Sequence, residues 1–268
     1  MILASDIPAI WWLAAPTAAA YLLTGWVGPR LSVQRGQRLA WGPWGLHGLG
    51  LLFALFAPQE GGVLFGFAPA LSVTVWMVLT FYLLEHHWFP QLRMRWALML
   101  LGAAVVVLHA LYPGAALHVS ASVWLPLHWA LGIASYGLFA VAVVHAWLMR
   151  RAERNMRMAG DNPVGLPVLT LERLTFRFAE AGFALLSATL VVGWWFGEAL
   201  YGSAWQWSHK TVFSVLAWTC FAVLLTGRRR FGWRGRTAVR VLYVGTALLL
   251  LAYVGSRFVL EVVLGRTL

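Results

Sequence analysis

The chain has 268 residues, of which 61% are hydrophobic and only 11% are charged, and its formal net charge is +11. A soluble domain carries about 25% charged residues, so this composition excludes an ordinary soluble protein and predicts a polytopic membrane protein. The positive charge does not indicate nucleic-acid binding, because the arginines lie in short segments between apolar stretches.

Eight apolar stretches approach or exceed the roughly 20 residues that a membrane-crossing helix needs. They cover approximately residues 7–27, 40–57, 66–87, 96–112, 123–149, 178–197, 210–226 and 239–262. No basic segment or cleavage-site pattern accompanies the first, which we expect to be a retained span rather than a signal peptide. The sequence therefore predicts an all-α bundle of about eight transmembrane helices, which form a single transmembrane domain over residues 1–268.

The basic residues predict how the helices are oriented. Of the 20 Lys and Arg residues, 17 lie in the first, third, fifth and seventh connections. The positive-inside rule places these connections in the cytoplasm and both termini in the periplasm, as expected for a multi-pass protein of the bacterial inner membrane. The longest connection, residues 150–177, leads into the sequence LERLTFRF, which predicts a short amphipathic helix on the inner membrane surface, where basic residues contact anionic lipid.

The sequence contains none of the common catalytic motifs. There is no P-loop, no dinucleotide-binding glycine pattern, no HExxH and no GxSxG, and the single cysteine allows no disulfide. The nine acidic residues are scattered, mostly at loops and span ends, rather than paired. We therefore expect no enzymatic activity.

Histidines within the predicted spans are candidate functional residues, because ionisable side chains are expensive inside a bilayer. The predicted orientation places His118, His128 and His209 near the periplasmic face, where loops and separate helices can bring them together. His47 is expected in the inner half of its span. His128 and His145 are 17 residues apart on one helix, or about 25 Å, and cannot share a metal ion. Each histidine has a simpler alternative as a buried polar group satisfied by its neighbours.

Tryptophan is unusually frequent, with 17 residues, and Trp124, Trp205 and Trp207 lie near the predicted periplasmic face. An interfacial aromatic belt explains part of this pattern. Indoles around the histidines also predict a platform for a planar apolar ligand such as haem, whose iron takes imidazole and whose propionates attract cations. Lys210 and Arg257 are the candidate cations, although a helix-end arginine can also simply reach the interface.

Several segments then resemble one known family. Residues 124–147 read WLPLHWALGIASYGLFAVAVVHAW, residues 204–228 read AWQWSHKTVFSVLAWTCFAVLLTGR, and GWRGR precedes VGTALLLLAYVGSRF. In this order they resemble the W-L-x-x-H span, the W-x-W segment with its lysine, the inner turn and the last span of the cytochrome c assembly family. These are CcsA/CcmC-type haem-handling membrane proteins. The resemblance covers roughly residues 124–258 and is greatest to the short, eight-span YpjD/HemX-like branch.

The resemblance implies that haem b is held non-covalently near the periplasmic face. It implies His128 as an axial ligand of the haem iron. His209 and His118 are the two candidates for the second ligand, as replacements for the family's second outer histidine. The resemblance also implies that Trp205, Trp207 and Lys210 bind haem. Arg257 and Trp124 join this set as the cation and the indole that their positions near the periplasmic face suggest. His47 corresponds to a histidine that the family keeps within an early span.

The chain also departs from the family pattern. Ser208 and His209 stand where the family has Asp-Pro, and Thr226 stands where it has a histidine toward the end of a span. The second outer histidine, after the last span, is missing. These departures favour one outer haem site over a conduit with two sites.

Three functions are compatible with the sequence. The first is a haem-handling assembly factor that presents haem to another cytochrome c maturation protein or to an apocytochrome. The second is a haem-free membrane partner or stability factor of the same fold, for which His128→Ala would leave the phenotype unchanged. The third is a small-solute transporter, for which paired halves with broken spans would be expected. An absorption spectrum with and without haem separates the first from the others.

Overall fold

A computed structural model of the chain describes residues 7–56, 64–88, 96–116, 124–158, 166–197 and 207–265. Within these residues the long elements are eight helices. They are α1 (Ile7–Val27), α2 (Val33–Phe56), α3 (Phe67–Trp88), α4 (Trp96–Leu111), α5 (Trp124–Arg157), α6 (Val168–Trp195), α7 (His209–Phe231) and α8 (Gly235–Leu250). Two short strands, β1 (Leu64–Phe65) and β2 (Ala115–Ala116), pair antiparallel.

The last helix does not stop at Leu250. It continues through a π-helical turn at Leu251–Gly255, a short α-helical piece at Ser256–Phe258 and a second π-helical turn at Val259–Val263. A π-helical turn inserts extra residues into the helix and often accompanies a functional site.

The prediction of an all-helical membrane protein is confirmed. In the described part of the chain, five helical segments are long and apolar enough to cross a membrane, and Ala97–Leu111 is apolar but shorter. The five are Phe67–Glu85, Leu127–Arg157, Val168–Trp195, His209–Phe231 and Gly235–Val263. The chain is therefore a multi-pass membrane protein. The cytoplasmic position of the basic loops and the single transmembrane domain stay predictions.

Several helices extend beyond the predicted spans, mostly into basic sequence. α2 begins at Val33 rather than near residue 40, and α5 continues to Arg157. Hydropathy detects only the part of a helix that sits in hydrocarbon, while Arg and Gln are good helix formers that carry the helix further. The segment LERLTFRF is helical, as predicted, but the prediction that this helix is short was wrong for the same reason, and its place on the inner membrane surface stays a prediction. This segment forms the first turns of α6, with Leu171 and Thr175 buried.

The helices group into two units, of which the first contains α1 to α4. α1 packs on α4 at Gly102, where an added methyl group would lie 2.9 Å from the ring of Tyr21. α2 packs on α3 through Trp44 and Trp76, whose rings stack at 5.2 Å. Small residues thus allow the aromatic side chains of one helix to approach the backbone of the next.

The second unit contains α5 to α8, and α5 packs along much of α6. Its centre is the stack of Phe139 on Phe221, with ring centroids 3.7 Å apart. Gly182 and Gly245 leave room for these two rings, because a methyl group on either would come within 3.2 Å and 2.8 Å of them, respectively.

One end of the second unit, which we call the arginine end, carries arginines from all four helices. Glu172 of α6 accepts a hydrogen bond from Arg228 of α7 at 2.9 Å and lies 3.7 Å from Arg234. α7 ends at Gly232, which has a left-handed φ of 64° and lets the chain turn directly into α8. The other end of the unit, which we call the opposite end, carries the described residues of this unit that were predicted to bind haem, which are Trp124, His128, Trp207, His209, Lys210 and Arg257.

Candidate functional site

His128 lies one turn into α5, at the opposite end of the second unit. Its ring is half-buried and contacts the backbone of Thr189 on α6 through a hydrogen bond. A methyl group added to Gly193 would lie 3.1 Å from the Cε1 atom of the ring, so the glycine leaves the space that the imidazole occupies. A histidine that is oriented in this way by a neighbouring helix is prepared for ligation.

Trp124 lies one helical turn before His128. Its ring stacks on Phe196, with centroids 4.0 Å apart and planes inclined by 10°. The stack holds the indole beside His128 while 41% of Trp124 stays exposed. The start of α5 therefore presents an imidazole and a flat apolar ring together.

The start of α7 adds a second group of side chains. Ser208 caps the helix, since its hydroxyl accepts a hydrogen bond from the backbone N–H of Thr211 at 3.4 Å. Trp207 precedes the cap and is 71% exposed, and His209 follows it and is also exposed. The cap fixes the backbone from which this indole and this imidazole project.

Lys210 and Arg257 approach the same ring, that of Tyr253. The Nζ atom of Lys210 lies 5.7 Å and the Cζ atom of Arg257 lies 6.0 Å from its centroid. Their charges are close enough to repel each other. Neither cation forms an ion pair with a carboxylate in the described residues.

Arg257 is also buried. Only 8% of the residue is exposed, and its Nε has no hydrogen-bond partner within the described part of the chain. A buried cation without a counter-charge costs several kcal/mol, which an anionic ligand would offset. The pair of cations has the composition expected of a site for carboxylate groups.

One hydrogen bond sets the register between α5 and α8. The hydroxyl of Tyr136 donates to the backbone carbonyl of Leu249. His128 precedes Tyr136 by eight residues on α5, and Arg257 follows Leu249 by eight residues on the last helix. Because the two helices are antiparallel, His128 and Arg257 each lie about two turns from this hydrogen bond, in the direction of the opposite end. The imidazole and the two cations therefore lie at the same level of the second unit.

Other predicted site residues have different outcomes. His118 and Trp205 lie outside the described residues. His47 belongs to the first unit, where its ring nitrogens hydrogen-bond with Tyr21 and Ser72. It lies nine residues before the end of α2, in the half of the helix away from Arg35 and Arg38. Its predicted position in the inner half of the membrane span stays a prediction, and α2 begins earlier than its hydropathy suggests.

Sequence reasoning missed four residues of this arrangement. Tyr253 precedes Arg257 by four residues, and this helical spacing was a usable signal. Phe196, Gly193 and Thr189 contact Trp124 or His128 across a helix–helix interface, and nothing in their local sequence indicates it. Among the described residues there is no group of three His, Cys, Asp or Glu side chains that could hold a bare metal ion.

The sequence of this chain is similar to those of known proteins. A sequence model of the family described as Cytochrome C assembly protein matches residues 44–264. The chain is 31% identical over 150 residues to the inner membrane protein YpjD of Escherichia coli, which covers 54% of this chain and 56% of that protein. It is 35% identical over 149 residues to an uncharacterised 28.8 kDa protein of Azospirillum brasilense, covering 53% and 54% of the two chains.

A more distant similarity links the chain to the cytochrome c biogenesis protein CcsA of Gloeobacter violaceus. The two are 30% identical over 92 residues, which cover 34% of this chain and 27% of that protein. The matches to the first relatives span about half of their length. No solved structure matches the chain significantly.

Proposed function

Because this chain belongs to the cytochrome c assembly protein family, we propose that it is a haem-handling membrane protein that holds haem b non-covalently and presents it to a partner. The observation that carries the proposal is the arrangement of His128 at the same level as the Lys210–Arg257 pair. These are the two kinds of side chain that haem requires, an imidazole for iron and cations for carboxylates. Bound haem would supply a redox-active iron, and the protein would supply its position.

Each residue has a defined part in this proposal. His128 would hold the iron, and Gly193 and Thr189 hold the imidazole ring. Lys210 and Arg257 would bind the propionates, while the exposed rings of Trp124 and Trp207 would contact the apolar surface of haem. His209, exposed at the start of α7, is the described candidate for a second ligand. Trp205 and His118 belong to the proposal through the family resemblance of the sequence alone.

The proposed orientation in the membrane indicates which proteins can receive haem from the site. With the arginine end in the cytoplasm, the opposite end faces the periplasm, and haem is held where an apocytochrome or another maturation protein can receive it. This role needs binding and release but no bond-making residue, so we propose no enzymatic activity. The CcsA relative is named a cytochrome c biogenesis protein, which supports the proposal that the partner belongs to cytochrome c maturation.

The decisive test is a haem titration of the purified full-length protein in detergent. We expect a saturable Soret band for the unmodified protein and a shifted or much weaker band for His128→Ala. His145→Ala is the matched control, because His145 lies on the same helix with its Nδ1 bonded to the carbonyl of Val141. Absence of a Soret band in every sample, or equal spectra for both variants, would contradict the proposal.

One observation favours a haem-free partner or stability factor as the second candidate. Thr226, which stands where the family has a histidine, lies exposed on α7. If haem binding has been lost, His128→Ala leaves both the cellular level of mature cytochrome c and growth unchanged. A fall in mature cytochrome c with this variant, but not with His145→Ala, would exclude this candidate.

A further inference from the structure

The first unit contains a mostly apolar cavity that the proposed haem site does not use, and four of its described lining residues are polar. It lies between α1, α2, α3 and α4, in the half of these helices away from Arg30, Arg35 and Arg38. The centres of water-sized molecules can occupy about 50 Å³ of it, which is room for several waters or one small ring. Its described lining includes the polar side chains of Thr17, His47, Ser72 and His109, together with apolar residues such as Ala54.

One wall of this cavity is a buried hydrogen-bond chain. The Nδ1 atom of His47 is 3.1 Å from the hydroxyl of Tyr21, and its Nε2 atom is 2.8 Å from the hydroxyl of Ser72. The three residues are almost completely buried and come from three different helices. Because both nitrogens of His47 already have partners, this imidazole is fixed in place as part of the wall.

His109 of α4 provides the free polar group of the cavity. Its ring is only partly buried, and the described residues offer it no hydrogen-bond partner. The remaining hydroxyl, that of Thr17, donates to the carbonyl of Leu13 at 2.6 Å. A ligand in the cavity therefore meets one imidazole with unused hydrogen-bonding capacity, a second imidazole with its hydroxyl neighbours, and apolar side chains elsewhere.

The charge of the lining restricts the ligand. Among the described lining residues there is no Asp, Glu, Lys or Arg, so these residues would give an ion in the cavity no counter-charge. This argues against a bare metal cation as well as against a carboxylate or phosphate. The occupant should be uncharged, soluble in the bilayer, and equipped with oxygen atoms that exchange hydrogen bonds with imidazole and hydroxyl groups.

We propose that this cavity binds the head ring of a membrane quinone or quinol, with His109 hydrogen-bonded to a ring oxygen and the Tyr21–His47–Ser72 chain as a polar wall. The ring is neutral in both redox forms, and its apolar tail is soluble in the bilayer. The proposal concerns binding alone and is independent of haem binding in the second unit.

Photo-crosslinking tests the proposal on the full-length protein in liposomes. An azido-quinone should label peptides of α1 to α4 saturably, and decylubiquinone or decylubiquinol should compete, which also shows whether the oxidised or reduced ring is preferred. In His109→Leu the affinity should fall about tenfold, the loss expected for one hydrogen bond in an apolar site. Ala54→Phe should block the cavity while leaving every named hydrogen bond in place. His145→Leu, in the other unit, is the control and should behave as the unmodified protein does.

A variant whose Soret response in the haem titration equals that of the unmodified protein is folded. If no sample gives a Soret response, an unchanged elution volume in gel filtration shows that the variant is folded. Unsaturable labelling, labelling outside α1 to α4, or equal labelling of Ala54→Phe and the unmodified protein would overturn the proposal. Saturable binding of Zn²⁺ that is lost in His109→Leu, without quinone labelling, would overturn it in favour of a metal site.

Discussion

Lys210 and Arg257 reach the ring of Tyr253 from two different helices, at 5.7 Å and 6.0 Å from its centroid. Two cations this close in a membrane protein repel each other, and the described residues give neither of them a carboxylate. Protein stability alone does not favour such a pair. The arrangement is understandable if an anionic ligand completes it.

Replacing Arg257 separates the effect of this cation pair on haem affinity from its effect on protein stability. In Arg257→Gln we expect haem affinity to fall about tenfold, since a charge-assisted contact is lost. Without haem, the same variant should unfold a few degrees higher, because a buried unpaired charge is gone. Arg229→Gln, at the arginine end, is the control. A variant that keeps full haem affinity, or that is less stable without haem, would show that Arg257 serves another purpose.

Gly193 tests whether the position of the His128 ring matters. In Gly193→Ala the new methyl group would lie 3.1 Å from Cε1, so the ring must shift by a few tenths of an ångström. We expect haem affinity to fall at least about threefold, with a displaced Soret maximum. The control is Gly132→Ala on α5, where the nearest atom, Cγ2 of Thr189, would be at an ordinary 3.6 Å. Equal spectra for the two variants would show that His128 does not bind iron.

The sequence predicted the helices well because lipid imposes one strong rule, a long apolar segment for each crossing. It predicted their ends poorly where helices continue into basic sequence, as at Val33 and Val168. Hydropathy responds to the hydrocarbon layer alone, whereas the helix itself ends where capping or a turn stops it. At Gly232 a left-handed glycine provides that stop.

The candidate site was predictable only in part. His128, Trp124, Lys210 and Arg257 were identified because unusual residue types stand out in an apolar chain. Their partners did not stand out, since a glycine such as Gly193 acquires its role from the helix packed against it. The hydrogen bonds of His47 to two other helices were likewise invisible, because a single sequence does not show which faces of helices meet.

The ion pairs at the arginine end allow a prediction about stability. Glu172 is largely buried and accepts a hydrogen bond from Arg228, whose guanidinium also lies 3.5 Å from the ring centroid of Phe176. Glu172→Gln should lower the free energy of unfolding by about 1–3 kcal/mol. Glu180→Gln breaks only an exposed pair with Arg229 and should change it by less than about 1 kcal/mol. Thermal unfolding in micelles would measure both, and equal effects would contradict the importance of the buried pair.

Cysteine labelling would establish which end of the second unit faces the periplasm. In a Cys220→Ser background, one variant carries Met158→Cys, in the exposed turn that follows α5 at the arginine end, and another carries Ser203→Cys, in the sixth connection of the sequence. The positive-inside rule predicts that a membrane-impermeant maleimide labels residue 203 in intact cells whose outer membrane it can pass, and residue 158 only after the inner membrane is opened. The reverse pattern would place the proposed haem-binding residues in the cytoplasm, where no apocytochrome on the periplasmic side could receive haem from them.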